Sequence, residues 1–180
     1  MISEKWDVID EEGKPLGKTT LRGKVRLKPG EYHLVVHIWV VSSDGRLLIQ
    51  RRSDTKKLMP GEWAATGGAA ISGEDSFTAA RRELYEELGI KTHRGTLKKI
   101  LRIKRRNSLL DIWVTVCDLP VEALKLQESE VAEVKWVTEQ ELRNMVKEEK
   151  FHNYGKEYFD KILFKIKNFS GVFSKEGEKI

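Results

Sequence analysis

Residues 68–90 read GAAISGEDSFTAARRELYEELGI, and the rest of the chain is interpreted outward from them. Phe77, Ala80, Leu84 and Leu88 recur at a helical period, which gives residues 75–88 one apolar stripe. Glu83, Glu86 and Glu87 stand at i, i+3 and i+4, so three carboxylates project from one adjacent face. Held that close they repel one another, and a solvated helix would place cations among them. Stacked oxygen donors without local cationic partners suit a hard divalent ion such as Mg²⁺, which takes a few carboxylates and keeps several waters. Gly89 suits the left-handed residue that closes a helix. Gly67 and Gly68 provide a turn through which backbone can approach a ligand.

The spacing is more specific than the acidity. From Gly68 there are five residues to Glu74, seven to Arg82-Glu83-Leu84, one to Glu86-Glu87 and one to Gly89, followed by apolar Ile90. This resembles the complete signature of the Nudix hydrolases. The resemblance implies an α/β fold, an α/β/α sandwich with a mixed sheet in which the signature forms a loop–helix–loop. It also implies Mg²⁺- or Mn²⁺-dependent hydrolysis of a nucleoside diphosphate linked to another moiety. By motif position, Glu83, Glu86 and Glu87 would ligate the metal and, with Arg82, form the catalytic set. Arg82 and Glu74 would pair to fix the loop to the helix, with Glu74 near the metal as a further candidate ligand.

A chain of 180 residues suffices for one domain with a sizeable core. It is expected to be a single unit over 1–180, with a hairpin extension at 1–30, the signature at 68–90 and a fraying tail at 170–180. The longest apolar run, residues 34–41, is interrupted by His37 and is too short to cross a bilayer. The acidic, polar opening MISEKWDVIDEEGK is no signal peptide, so a cytoplasmic protein is expected. The single cysteine, Cys117, excludes an intrachain disulfide framework, and its alternating apolar neighbours suggest a packed thiol. A net charge of +5 favours anionic substrates without by itself arguing for nucleic acid.

Residues 6–10 and 15–20 flank the turn-like Glu11-Glu12-Gly13-Lys14 and predict a small hairpin. Its free strand edges, and the dimers formed by many Nudix relatives, make a homodimer the expected assembly. Arg22, Lys24, Arg26 and Lys28 alternate, so an extended segment there would carry one basic face, either a solvated edge or a phosphate-facing one. Residues 31–41 predict a central strand, turned by Ser42-Ser43-Asp44-Gly45 into a second strand ending in Gln50-Arg51-Arg52. His33 and His37 share parity, as a packed or substrate-facing pair or as metal ligands. Downstream, residues 92–106 and 109–118 predict two strands. The cations Lys98, Lys99, Arg102, Lys104, Arg105 and Arg106 could meet polyphosphate or RNA, but no aromatics interleave them as single-stranded nucleic acid binding requires. Thr138 and Glu141 form a capping box for a helix reaching about residue 149, and residues 151–168 predict another.

Residues 6–90 as a whole resemble the Nudix branch nearest type I isopentenyl-diphosphate isomerase. The isomerase's own chemistry is missing: Gly67 stands at its thiol position, Ala69 at a metal-histidine position and Arg26 near another, and only His33 matches. The combination points to hydrolysis, with isomerisation and non-catalytic nucleotide binding as the alternatives. For the second phosphate, Arg22, Arg26, Arg51 and Arg52 are the candidate cations, with Gly68 as backbone contact. The general base is left open among the signature glutamates, Glu128 and Glu130.

Overall fold

A computed structural model describes residues 4–23 and 27–176. The element with the most local encoding is α1 (Ser76–Leu88). Asp75 caps it by accepting the Thr78 N–H at 2.7 Å, an interaction typically contributing about 1 kcal/mol. Gly89 ends it in the left-handed conformation at φ 71°, its N–H donating to the Tyr85 carbonyl. Phe77, Ala80, Leu84 and Leu88 are buried, and truncating a fully buried leucine such as Leu84 to alanine would cost roughly 2–5 kcal/mol.

That stripe packs on a mixed sheet. Its centre is β3 (His33–Val41), paired in parallel along its full length with β8 (Ser108–Val116). β7 (Lys98–Lys104) extends the sheet antiparallel to β8. On the other side of β3 lie β4 (Leu47–Arg52) and the short β5 (Trp63–Ala64) and β6 (Thr66–Ala69), with β9 (Val131–Val137) along β4. Alternation splits the sheet's side chains cleanly. Val36, Ile38, Val40, Leu48 and Trp113 meet α1. Trp39, Val41, Leu47, Ile49 and Ile112 meet α2 (Glu139–Lys147) and α3 (Lys156–Glu176). The result is the expected α/β/α sandwich.

The hairpin forms as β1 (Lys5–Ile9) and β2 (Pro15–Leu21), a separate two-stranded sheet. It is tied down by the Ile9–Tyr32 bridge and by Arg102, which donates to the Glu12 carbonyl at 3.0 Å while clamping the fully buried Asp111 at 2.6 and 2.9 Å. The extended basic segment expected around Arg22 to Lys28 does not continue β2, which stops at Leu21 before a turn at Arg22-Gly23; Lys24 lies outside the described residues. Arg26 lies outside the described residues. The Thr138–Glu141 capping box is present. α3 begins at Lys156, later than expected, because Phe151 first bridges to Trp63. It continues to Glu176, so residues 170–176, expected to fray, are helical. One glycine, Gly171, costs only about 1 kcal/mol in a helix already docked by Phe159, Ile162 and Ile166. Cys117 is only partly buried, against the α1-side core. No helix among the described residues is long and apolar enough to cross a membrane.

Candidate active site

The glutamate face of α1 meets β6, and two glycines make that approach possible. Gly68 lies opposite Val36, and a Cβ there would stand 2.7 Å from the carboxyl carbon of Glu83. Gly67 lies opposite His37 with φ 152°, and a Cβ there would be driven to 3.0 Å from the His37 Cα. No side chain fits at Gly67, so a thiol at this position is sterically impossible on this backbone. The Gly67 N–H donates to the Glu87 carboxylate at 3.3 Å.

Glu87 is 3% exposed. Gln50 Nε2 donates to it at 3.0 Å, and Gln50 Oε1 accepts from the Thr66 hydroxyl at 3.1 Å. Burial, then the neighbouring charge of Glu83, pushes the Glu87 carboxyl up to about 8. Burial raises Glu83 as well, opposed by Arg82. Glu86 differs from both, being half exposed. Sequence periodicity puts the three on one face, but the sheet buries only Glu83 and Glu87.

The expectation that these carboxylates lack a local cation is corrected by Arg82. Its guanidinium donates to both oxygens of Glu74 at 2.7 and 3.0 Å, to Glu83 at 2.9 Å and to Glu86 at 3.2 Å. Adjacent helix positions do not normally face each other. The long arginine stem folds back toward the loop and crosses that limit. The expected Arg82–Glu74 pair is therefore present, and Glu74 also accepts the Ile71 N–H at 3.0 Å.

Among the described residues, no three acidic, histidine or cysteine groups converge into a finished metal geometry. The donor set nonetheless fits a divalent cation. Glu87 is buried and Glu83 largely so, the two repel each other, and glycine at 68 leaves room at the Glu83 carboxylate. Such a hard oxygen pair is what Mg²⁺ or Mn²⁺ takes.

The candidate phosphate cations separate. Arg22 pairs with Glu4 at 2.8 Å, and Arg51 with Asp54 at 3.2 Å and Glu133 at 3.4 Å. Arg52 meets no carboxylate among the described residues, and its Nε donates to the Leu58 carbonyl at 3.1 Å. Of the two loop glutamates, Glu128 is exposed, whereas Glu130 lies close enough that its charge helps raise Glu87. Lys56 holds Glu130 at 2.5 Å. His33 and His37 do not form a ligand pair: His33 stacks on Trp6, and His37 Nδ1 bonds the Tyr158 hydroxyl at 2.7 Å. Sequence reading missed Gln50, whose only signal was a polar residue at a buried strand position. It also missed Tyr154, which touches His37 at 4.7 Å between ring centroids.

Comparison with known proteins agrees with this geometry. The NUDIX domain family matches residues 31–161. An uncharacterized Nudix hydrolase of Listeria monocytogenes is 36% identical over 166 residues, covering 92% of this chain and 96% of that one. A crystal structure from Deinococcus radiodurans superposes with a TM-score of 0.70 at 24% identity, covering 82% of this chain and 91% of its own. The binary complex of a C. elegans Ap4A hydrolase superposes with a TM-score of 0.57 at 18% identity, covering 78% and 98% respectively.

Proposed function

Because the chain belongs to the Nudix family, we propose that it hydrolyses the phosphoanhydride bond of a nucleoside diphosphate linked to another moiety, using the Glu83–Glu87 site. The observation that carries this reading is the buried, mutually repelling Glu83–Glu87 pair set against two glycines. A Mg²⁺ or Mn²⁺ ion held by Glu83 and Glu87, with Glu86 beside them, would neutralise diphosphate charge and activate water.

The chain's own residues supply position. Gln50 and the Gly67 N–H orient the Glu87 carboxylate, and Arg82 holds Glu83 against the loop. Gly68 leaves room for phosphate beside Glu83. Arg52, which meets no carboxylate among the described residues, is the candidate cation to take a phosphate oxygen through its Nη groups. We assign Glu130, held by Lys56 and exerting its charge on Glu87, as the loop carboxylate that accepts the proton of the attacking water. Isomerisation is disfavoured, because Gly67 admits no side chain to donate or accept a proton there. A homodimer and a cytoplasmic location belong to the same proposal.

The test is incubation with Mg²⁺ or Mn²⁺ and a panel of nucleoside diphosphate derivatives, reading released phosphate-containing products. Turnover that Glu87→Gln abolishes supports the proposal. Tight nucleotide binding without turnover across the panel would make the protein a binding module instead.

A further inference from the structure

Three of the six cations in the run 98–106 are taken up by the fold. Lys99 and Arg102 reach Asp111, and Lys104 reaches Glu11. Arg105 is different. It is half-buried, and its side chain has no hydrogen bond or ion pair among the described residues. Its backbone position is fixed: the Arg105 N–H donates to the Ser108 carbonyl at 2.8 Å, and Ser108 stands beside His33 in the β3–β8 ladder.

Arg105 therefore stands beside the start of β3, the strand whose His37 meets Tyr158 of α3. Burial first, and the Arg105 charge second, hold both His33 and His37 below the usual imidazole range. The same charge reaches Tyr154 and Tyr158. His33 Nδ1 is buried there with no hydrogen-bond partner. This corner connects to the carboxylates through His37, on which Tyr154 packs at 4.7 Å between ring centroids. His37 stands across from Gly67, whose N–H donates to Glu87.

A half-buried guanidinium left without a counter-charge among the described residues is costly, and a flexible arginine stem would normally turn it fully outward. Its retention beside an unpartnered imidazole nitrogen calls for an anion that is not part of the chain. We propose that Arg105 anchors an anionic group, a phosphate or a carboxylate, on a substrate moiety flanking the scissile diphosphate, and so selects among diphosphate compounds. This rests on the hydrolase reading above.

Paired substrates that differ by one anionic group test it. UDP-glucose against UDP-glucuronate reads a carboxylate, and ADP-ribose against its 2′-phospho derivative reads a phosphate. Arg105→Ala should raise KM by about tenfold to a hundredfold for the anion-bearing member of at least one pair, leaving kcat and the neutral member nearly unchanged. Arg105→Lys should restore part of the loss. The melting temperature of Arg105→Ala should hold or rise, since no ion pair is lost. If nothing is hydrolysed, the hydrolase reading fails separately. The anchor is then read by calorimetry on the metal-free protein, where Arg105→Ala must erase the wild-type preference for the anion-bearing member. Equal losses for both members of each pair, no loss for either, no wild-type preference in calorimetry, or a lowered melting temperature would overturn the assignment.

Discussion

Arg82 holds Glu74 with two hydrogen bonds, Nε at 2.7 Å and Nη2 at 3.0 Å, and so joins the loop before α1 to the helix itself. The same guanidinium reaches Glu83 at 2.9 Å, so the fastening of the loop and the placement of the Glu83 carboxylate depend on one side chain.

Arg82→Ala should therefore lower stability and activity together. Glu74 is mostly buried and would lose its partner, at a cost of roughly 3–5 kcal/mol for a fully buried pair and less here. Lysine should rescue poorly, because it cannot make the forked contact. Thermal melts and turnover measured on the same preparations check this. An unchanged melting temperature with abolished turnover would place Arg82 on the substrate instead.

Glu87→Gln should separate stability from activity. The wild-type carboxylate is buried and repelled by Glu83, which is why it is pushed up to about 8. A glutamine can still accept from Gln50 and Gly67 while its NH₂ faces Glu83, so the metal-free variant should melt higher than wild type near neutral pH. Turnover should fall by the equivalent of about 3 kcal/mol or more, as for loss of one strong electrostatic group. Activity within a few-fold of wild type would remove Glu87 from the metal site.

His37 provides a pH prediction with a definite sign. Burial, then the charges of Arg105 and His152, lowers it from 6.5 to about 3, and Tyr158 fills its Nδ1. A base depressed in the folded state contributes stability that is complete above its unfolded value. That contribution drains away as pH falls from about 6.5 toward about 3. Melting temperatures at pH 7 and pH 5, before most carboxylates titrate, should show a smaller acid-side loss in His37→Gln than in wild type. Parallel losses in the two proteins would mean that His37 is not the group responsible.

The signature helix was legible because its information is local. The period of Phe77, Ala80, Leu84 and Leu88, the cap at Asp75 and the stop at Gly89 each depend on residues within a turn or two. The hairpin was legible for the same reason. The division of the glutamates was not. Their helical positions are nearly equivalent, and only the approach of β6 buries Glu83 and Glu87 while Glu86 stays in solvent.

By itself, then, the sequence determined the acidic helix, the two glycines before it and the kind of ion they suit, since spacing along one element fixes which side chains share a face. Tertiary structure decided which charges remain available. Arg22 and Arg51 are paired with acids, Lys99 and Arg102 with Asp111, while Arg52 and Arg105 meet no carboxylate among the described residues. These pairings join segments far apart in the chain. Electrostatic pairing depends on distance in space and on exclusion of water, and neither is written in the spacing of residues along the chain.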